Sequence, residues 1–281
     1  ALVLEDAAVP FDLTLDAPCR FALVRLAEER HVLIFNAHHI VCDGWSMGVL
    51  FDDLAAIYAA EAEGRAVDLP PAPSFARHAL AQASRAPAPG VLEHWRAVYA
   101  DIPDLPDLPT DAPRPAAKAW DGAMYTAHFD ADVMRGLRKT GGRNGATLFA
   151  TLFAGLQMTL GRLSGARDIV LAVPTAGQME GKEGLVGHCV NFLPIRAAFD
   201  PVEPAVEHLK RAGGAVLDAF ANGDVTLGRL VQELDVPRGL SRLPLTEVQF
   251  NLERLPEPAL AAGLTLSLEP NAKTAVNHDL F

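Results

Sequence analysis

The sequence predicts an α+β fold in two lobes. Short apolar runs of strand character occur both early (20–26, 31–39) and late (168–173, 189–197). Helix-period segments lie among them at 46–62, 146–163 and 204–221. A proline-rich stretch, with Pro103, Pro106, Pro109, Pro113 and Pro115, excludes helix and central strand across 102–115. It divides the pattern into lobes at 1–112 and 113–281, each mixing helices with strands that can pair antiparallel.

In chain order, residues 1–20 read as loop. Runs 20–26 and 31–39, joined by the polar Ala27-Glu28-Glu29-Arg30, read as a hairpin. The helix at 46–62 carries Met47, Leu50, Phe51, Leu54, Ile57 and Tyr58 at the spacing of one buried face, and Gly64 ends it. Segments 65–73 and 84–90, rich in Pro and Ala, read as loops. A helix at 91–99 carries Trp95. Beyond the proline stretch the expected order is a strand at 123–129, helices at 131–140 and 146–163, and a strand at 168–173. A Gly/Glu/Lys loop at 177–184 and a strand at 189–197 follow. Helices at 204–221, despite Gly213 and Gly214, and 227–234 come next, then two alternating runs at 245–252 and 264–268.

Half of the 281 residues are hydrophobic, enough for one large core or two smaller ones. With 24 Lys+Arg against 35 Asp+Glu and no basic run, nucleic acid is a poor partner. No apolar stretch has the length of a membrane span, and the first residues lack a signal-peptide pattern. Cys19, Cys42 and Cys189 are scattered with no CxxC pair, so neither a disulfide framework nor a metal site is expected, and a reducing cytoplasm fits. The abrupt start, and an end at an apolar run, suggest a piece of a longer protein.

Chemistry concentrates at His38-His39-Ile40-Val41-Cys42-Asp43-Gly44. His38 and His39 close the second strand, so alternation sends them to opposite faces and one imidazole faces a given cleft. Histidine titrates near neutral pH and suits proton transfer there. Asp43 is expected to act indirectly, by pairing with an arginine that shapes the loop. Gly44, with no side chain, leaves room for a bulky substrate. A lone histidine at a strand end is most often structural, so the surroundings decide. Cys42 beside His39 invites a Cys/His nucleophile, but no Asn/Asp orienter is evident, and a small residue in a turn needs no chemistry.

Those surroundings read Asn36-Ala37-His38-His39-Ile40-Val41-Cys42-Asp43-Gly44-Trp45-Ser46. The segment resembles the HHxxxDGWS motif of condensation domains in nonribosomal peptide synthetases. Further stretches are similar to that family in the same order. They are Phe11-Asp12-Leu13 with Pro18 and Arg20, His94-Trp95-Arg96, Leu108-Pro109-Thr110-Asp111 with Pro113-Arg114-Pro115, and the segment 186–196 (VGHCVNFLPIR). Residues 222–230 follow more faintly, then Pro244-Leu245 with Gln249-Phe250-Asn251.

The resemblance implies two chloramphenicol-acetyltransferase-like lobes in a V-shaped pseudo-dimer. The first lobe is incomplete, lacking about a hundred early residues, and the end of the second is missing. It implies amide-bond formation between a donor acyl or peptidyl thioester on an upstream carrier protein and an aminoacyl acceptor on a downstream carrier, with an adenylation domain adjacent. No cofactor is bound directly; the carriers' phosphopantetheine arms deliver both substrates. His39 is the implied catalytic residue, as base or as stabiliser of the charged intermediate. His38 and Asp43 are implied to be structural, Asp43 held by an arginine. Gly44, Trp45, Ser46, Asn191 and Asn251 line the substrate tunnel, and the 175–184 loop (TAGQMEGKEG) borders the donor side. Competing readings are a stand-alone HxxxD acyltransferase, an epimerisation domain and a catalytically inactive recruiting domain. A heterocyclisation domain would replace the histidine pair with Asp.

Overall fold

A computed structural model describes residues 2–178, 183–237, 239–269 and 275–280. The chain forms two compact units. The first comprises residues 1–85, 176–190 and 254–271, and the second residues 86–175, 191–253 and 272–281. The units therefore do not follow the 112/113 division expected from the prolines. Residues 86–112 group with the second unit because the helix that carries Trp95 is buried in its core.

The first unit opens with α1 (Leu2–Ala8), where the sequence suggested loop; none of its residues is buried. The hairpin follows, β1 (Cys19–Ala27) pairing antiparallel with β2 (Arg30–Ala37), with Phe21 opposite Phe35 and Leu23 opposite Leu33. Alternation puts Ile34 on a buried face and leaves Phe21, Leu23 and Leu33 exposed on the other. Next is α2 (Gly44–Glu63), the expected helix, closed by Gly64 in the left-handed conformation, which glycine adopts without a Cβ clash. Phe51 and Ala60 are buried, whereas Leu54, Ile57 and Tyr58 of the predicted apolar face are exposed. A further helix, α3 (Phe75–Ser84), is capped by the Ser74 hydroxyl. Late in the chain a short hairpin of β5 (Ala259–Ala261) and β6 (Leu264–Leu266) packs by α2.

The second unit holds the main core. It contains α4 (Val91–Val98), α5 (Ala131–Arg143), α6 (Leu148–Ser164), β3 (Asp168–Thr175), β4 (Asn191–Ala198), α7 (Ala205–Ala221) and α8 (Leu227–Glu233). β3 and β4 pair antiparallel and supply Ile169, Leu171, Val173, Leu193 and Ile195. These pack with Phe153 and Leu160 of α6, Leu209 and Val216 of α7, and Trp95. β3 is buried along most of its length and reads as an unbroken apolar run, as a strand covered on both faces does. Thr147 caps α6 and Asp130 caps α5 through their side-chain oxygens. Arg196 of β4 ties this core to the segment after α4. It donates to Asp168 at 2.5 and 2.9 Å, to Asp101, and to the Val98 carbonyl at 2.7 Å.

Two expected strands differ. Among the described residues 123–129 form none; Asp121 bridges Ala275, and Met124, Tyr125 and Phe129 are exposed. Their β-propensity meets no described partner strand to complete a ladder. The run at 245–252 contributes bridges rather than a full strand. Ala172 donates its N–H to the Val248 carbonyl and accepts from Phe250 N–H, while Val248 bridges Leu280. Leu245 sits at positive φ, a left-handed geometry that interrupts an extended strand just where this run begins.

Candidate active site

β2 stops at Ala37, so the two histidines lie beyond the strand, and the expected split across opposite sheet faces does not apply. His38 continues the hairpin by one hydrogen bond, its N–H donating to the Pro18 carbonyl at 2.8 Å. The chain then turns, and Val41 N–H donates back to the His38 carbonyl at 3.1 Å. His38 Nδ1 accepts from Ile40 N–H at 3.1 Å, which fixes its neutral tautomer with the proton on Nε2. The imidazole also meets Phe11 edge-on at 6.0 Å between centroids. His38 thus braces the turn, and the turn presents His39, which is exposed.

Asp43 ends this turn and starts α2. As N-cap its Oδ1 accepts Ser46 N–H at 2.9 Å, satisfying one of the amides that an α-helix leaves unpaired at its start. The carboxylate is only 5% exposed and sits in a web of neutral donors. The Ser46 hydroxyl donates to Oδ1 at 2.7 Å, the Gln178 amide lies 2.8 and 3.0 Å from the two oxygens, and Cys189 N–H donates to Oδ2 at 2.9 Å. The expected arginine is not among these described partners, which include the Gln178 amide and the Cys189 N–H. Burial pushes the Asp43 carboxyl up, but the bonds from Ser46, Cys189 and Gln178 outweigh it and hold the group below its ordinary range.

The same web reaches the segment just before β4. Gly187 N–H donates to Ser46 Oγ at 3.0 Å, and the Gly187 carbonyl lies 3.0 Å from the same oxygen. A hydroxyl has one proton, and the charged Asp43 oxygen at 2.7 Å is the stronger acceptor for it. Gly187 is required sterically, since a Cβ there would overlap the Phe75 ring. Between the two anchored residues Gly187 and Cys189 stands His188. Its Nδ1 lies 2.9 Å from Nδ1 of His39, with the rings edge to face at 4.9 Å. Burial, and then the neighbouring His39, pull the His188 imidazole below the usual histidine range, against a smaller pull upward from Asp43.

Gly44 is the exposed first residue of α2, and Trp45 is 41% exposed with its indole N–H donating to the Glu183 carbonyl at 2.8 Å. Cys42 is buried, and burial together with the Asp43 charge pushes its thiol up, the reverse of what an activated nucleophile needs. His38, His39, Asp43, Gly44, Trp45 and Ser46 are thus gathered in the first unit. Asn191 and Asn251 belong to the second. Asn191 has both amide ends occupied, donating to the Val225 carbonyl at 2.8 Å and accepting Leu227 N–H at 3.1 Å, so it positions the start of α8. Asn251 is exposed and donates to Glu253. The 175–184 loop falls partly outside the described residues. Gln178 and His188 have no role in the sequence reading, although both stand in segments singled out there. Among the described residues no group of three or more His, Cys, Asp or Glu side chains could hold a metal, and no helix is long and apolar enough to cross a membrane.

The condensation-domain family profile matches residues 1–272. The chain is 36% identical over 275 residues to a component of the linear gramicidin synthase of Brevibacillus parabrevis, covering 96% of this chain and 4% of that protein. It is 33% identical over 271 residues to surfactin synthase subunit 1 of Bacillus subtilis (strain 168), covering 94% of this chain and 7% of that one. The chain therefore spans a small part of the curated relatives it matches. Among solved structures it resembles the X-domain from teicoplanin biosynthesis in complex with OxyB. There the TM-score is 0.83 at 29% identity, over 99% of this chain and 63% of that one. It also shares the fold of the first condensation domain of the CDA synthetase, with a TM-score of 0.72 at 24% identity over 94% of this chain and 59% of that one. The family profile and these relatives show that the chain, with its exposed imidazole and buried aspartate within HHxxxDG, belongs to the condensation-domain family of nonribosomal peptide synthetases.

Proposed function

We propose that this domain joins a carrier-bound acyl or peptidyl thioester to the amine of a carrier-bound aminoacyl group, with His39 as the residue that relays the proton. The observation that carries the reading is the exposed His39 on a turn braced by His38 and anchored at Asp43. The amine nitrogen attacks the thioester carbonyl. As the C–N bond forms, His39 takes a proton from the nitrogen; as the C–S bond breaks, it returns that proton to the departing sulfur. No metal or redox partner is needed to balance the step. Both substrates arrive on phosphopantetheine arms of upstream and downstream carrier proteins, beside an adenylation domain, in the cytoplasm. Gly44 and Trp45, exposed at the start of α2, border the approach.

In the full-length protein with both carriers loaded, His39→Ala is expected to abolish the amide product while the melting temperature stays within about 2 °C of wild type. Product at the wild-type rate would reject the role. A second reading, a domain that recruits a partner without chemistry, is favoured by the likeness to an X-domain solved in complex with OxyB. It predicts that His39→Ala changes neither product nor assembly.

A further inference from the structure

We propose that His188 is a positioning residue for His39, a neutral imidazole whose Nδ1 accepts the His39 Nδ1–H and thereby leaves His39 Nε2 as the free basic nitrogen. The inference rests on His39 being the proton relay proposed above. Two ring nitrogens 2.9 Å apart hold one proton between them, because two lone pairs or two N–H groups would repel. If His188 donated, neutral His39 would carry its own proton on Nε2 and have no basic nitrogen left to take one from the amine. On gaining a proton it would then face N–H against N–H, and the contact would break. If His39 donates, Nε2 is free. The imidazolium formed during the relay keeps the same bond, now strengthened by its charge. Only this second arrangement survives the whole cycle without a proton moving between the rings.

The position of His188 is not left to a loose loop. Gly187 is held by Ser46 Oγ and Cys189 by Asp43 Oδ2, so the residue between them is fixed by the network that caps α2, the helix that directly follows the turn bearing His39. One carboxylate and one hydroxyl thus set both halves of the imidazole pair. The titratable groups acting on His188 are His39 and Asp43; burial and then His39 lower its titration, which favours the neutral ring. The logic is that of a catalytic triad's orienting residue with a neutral acceptor in place of a carboxylate.

Three substitutions at one site test this in the full-length protein with loaded carriers. Phe keeps a ring but puts a C–H where Nδ1 was. Asn and Asp place Oδ1 the same number of bonds from Cβ as Nδ1, so both can accept from His39. His188→Phe is expected to lower kcat about ten- to a hundredfold, the worth of a hydrogen bond to a charged group, with KM for the acceptor unchanged. His188→Asn is expected to recover to within about tenfold of wild type. His188→Asp is expected to move the acid limb of the kcat/KM profile upward by about one pH unit or more, as a carboxylate beside an imidazolium does. Melting curves of all three separate these effects from misfolding.

Exchange of the imidazole C2 hydrogen, followed by mass spectrometry across pH, gives a readout free of activity. The His188 midpoint is expected to rise in His39→Ala. Wild-type kcat in the Phe variant, an Asn variant as poor as Phe, an unmoved acid limb in the Asp variant, or an unmoved His188 midpoint would each overturn the pairing. An active His39→Ala enzyme would instead overturn the relay itself. An inactive His39→Ala beside a fully active His188→Phe would sink the pairing alone.

Discussion

Replacing Asp43 by alanine removes the acceptor for four donors: Ser46 N–H, Ser46 O–H, the Gln178 amide and Cys189 N–H. Loss of the helix cap costs about 1 kcal/mol. The Ser46 hydroxyl can turn to the Gly187 carbonyl at 3.0 Å, so it adds little. Gln178 and Cys189 N–H are left buried, at about 1–3 kcal/mol each, while relief from desolvating a carboxylate offsets part of this. The net is about 3 kcal/mol, or a fall of about 6–10 °C in melting temperature for a chain of this size. Asp43→Asn is milder. Asn caps as well as Asp, and Gln178, whose Oε1 is buried with no hydrogen-bond partner among the described residues, can rotate its amide to accept from the new NH2. Cys189 N–H and the turned Gln178 NH2 then lose the carboxylate as acceptor while Oε1 gains a donor, and a fall of about 2–6 °C is expected.

The two proteins also separate in pH. The Asp43 carboxyl titrates below its ordinary range in the folded state, so its stabilisation is full above the unfolded value of about 3.9 and is lost as pH falls through the folded one. The gap between wild type and Asp43→Asn should therefore close below about pH 4. Thermal melts of the three proteins from pH 7 to pH 3 measure both effects. A gap that stays constant across that range, or an alanine variant that melts with wild type, would refute the neutral-donor network.

Gly187→Ala forces a methyl group into the Phe75 ring and is expected to cost about 1–3 kcal/mol, with part recovered when Phe75→Leu is added; a double-mutant cycle by urea melts measures the coupling. Arg196→Met leaves Asp168 and the Val98 carbonyl without their donor and is expected to lower stability by about 2–4 kcal/mol, with Arg196→Lys recovering less than half because an ammonium lacks the planar fork. An unchanged urea midpoint in the Met variant would contradict the structural role given to Arg196.

Long periodic segments were readable from residues alone. The helices at α2, α6 and α7 and the strands at β1, β3 and β4 lie within a few residues of where their patterns put them; in α6, α7, β3 and β4 the apolar spacing reports a core-facing side, whereas in α2 and β1 much of the apolar set is exposed. α1 has no such side, since none of its residues is buried, and so left no period to find. The error at 123–129 has the opposite cause: Tyr125, Thr126 and Phe129 favour extended backbone, but pairing requires a neighbour that local sequence does not name. The site divides in the same way. His39, Asp43 and Ser46 fall close together in the chain and were legible as a motif. Gln178, Gly187 and His188 reach them across 135, 141 and 149 residues, and only folding brings them together.

The web around Asp43 also sets a timetable on the ribosome. The carboxylate and helix start are made early, but Cys189, which completes their bonding, lies 146 residues downstream. At about 5–20 residues per second, roughly 7–30 s of elongation separate the two. The nascent chain must therefore carry a capped but unfinished turn through that interval. The histidine turn is synthesised well before it can lock, and truncation anywhere between it and Cys189 strands it without its anchor.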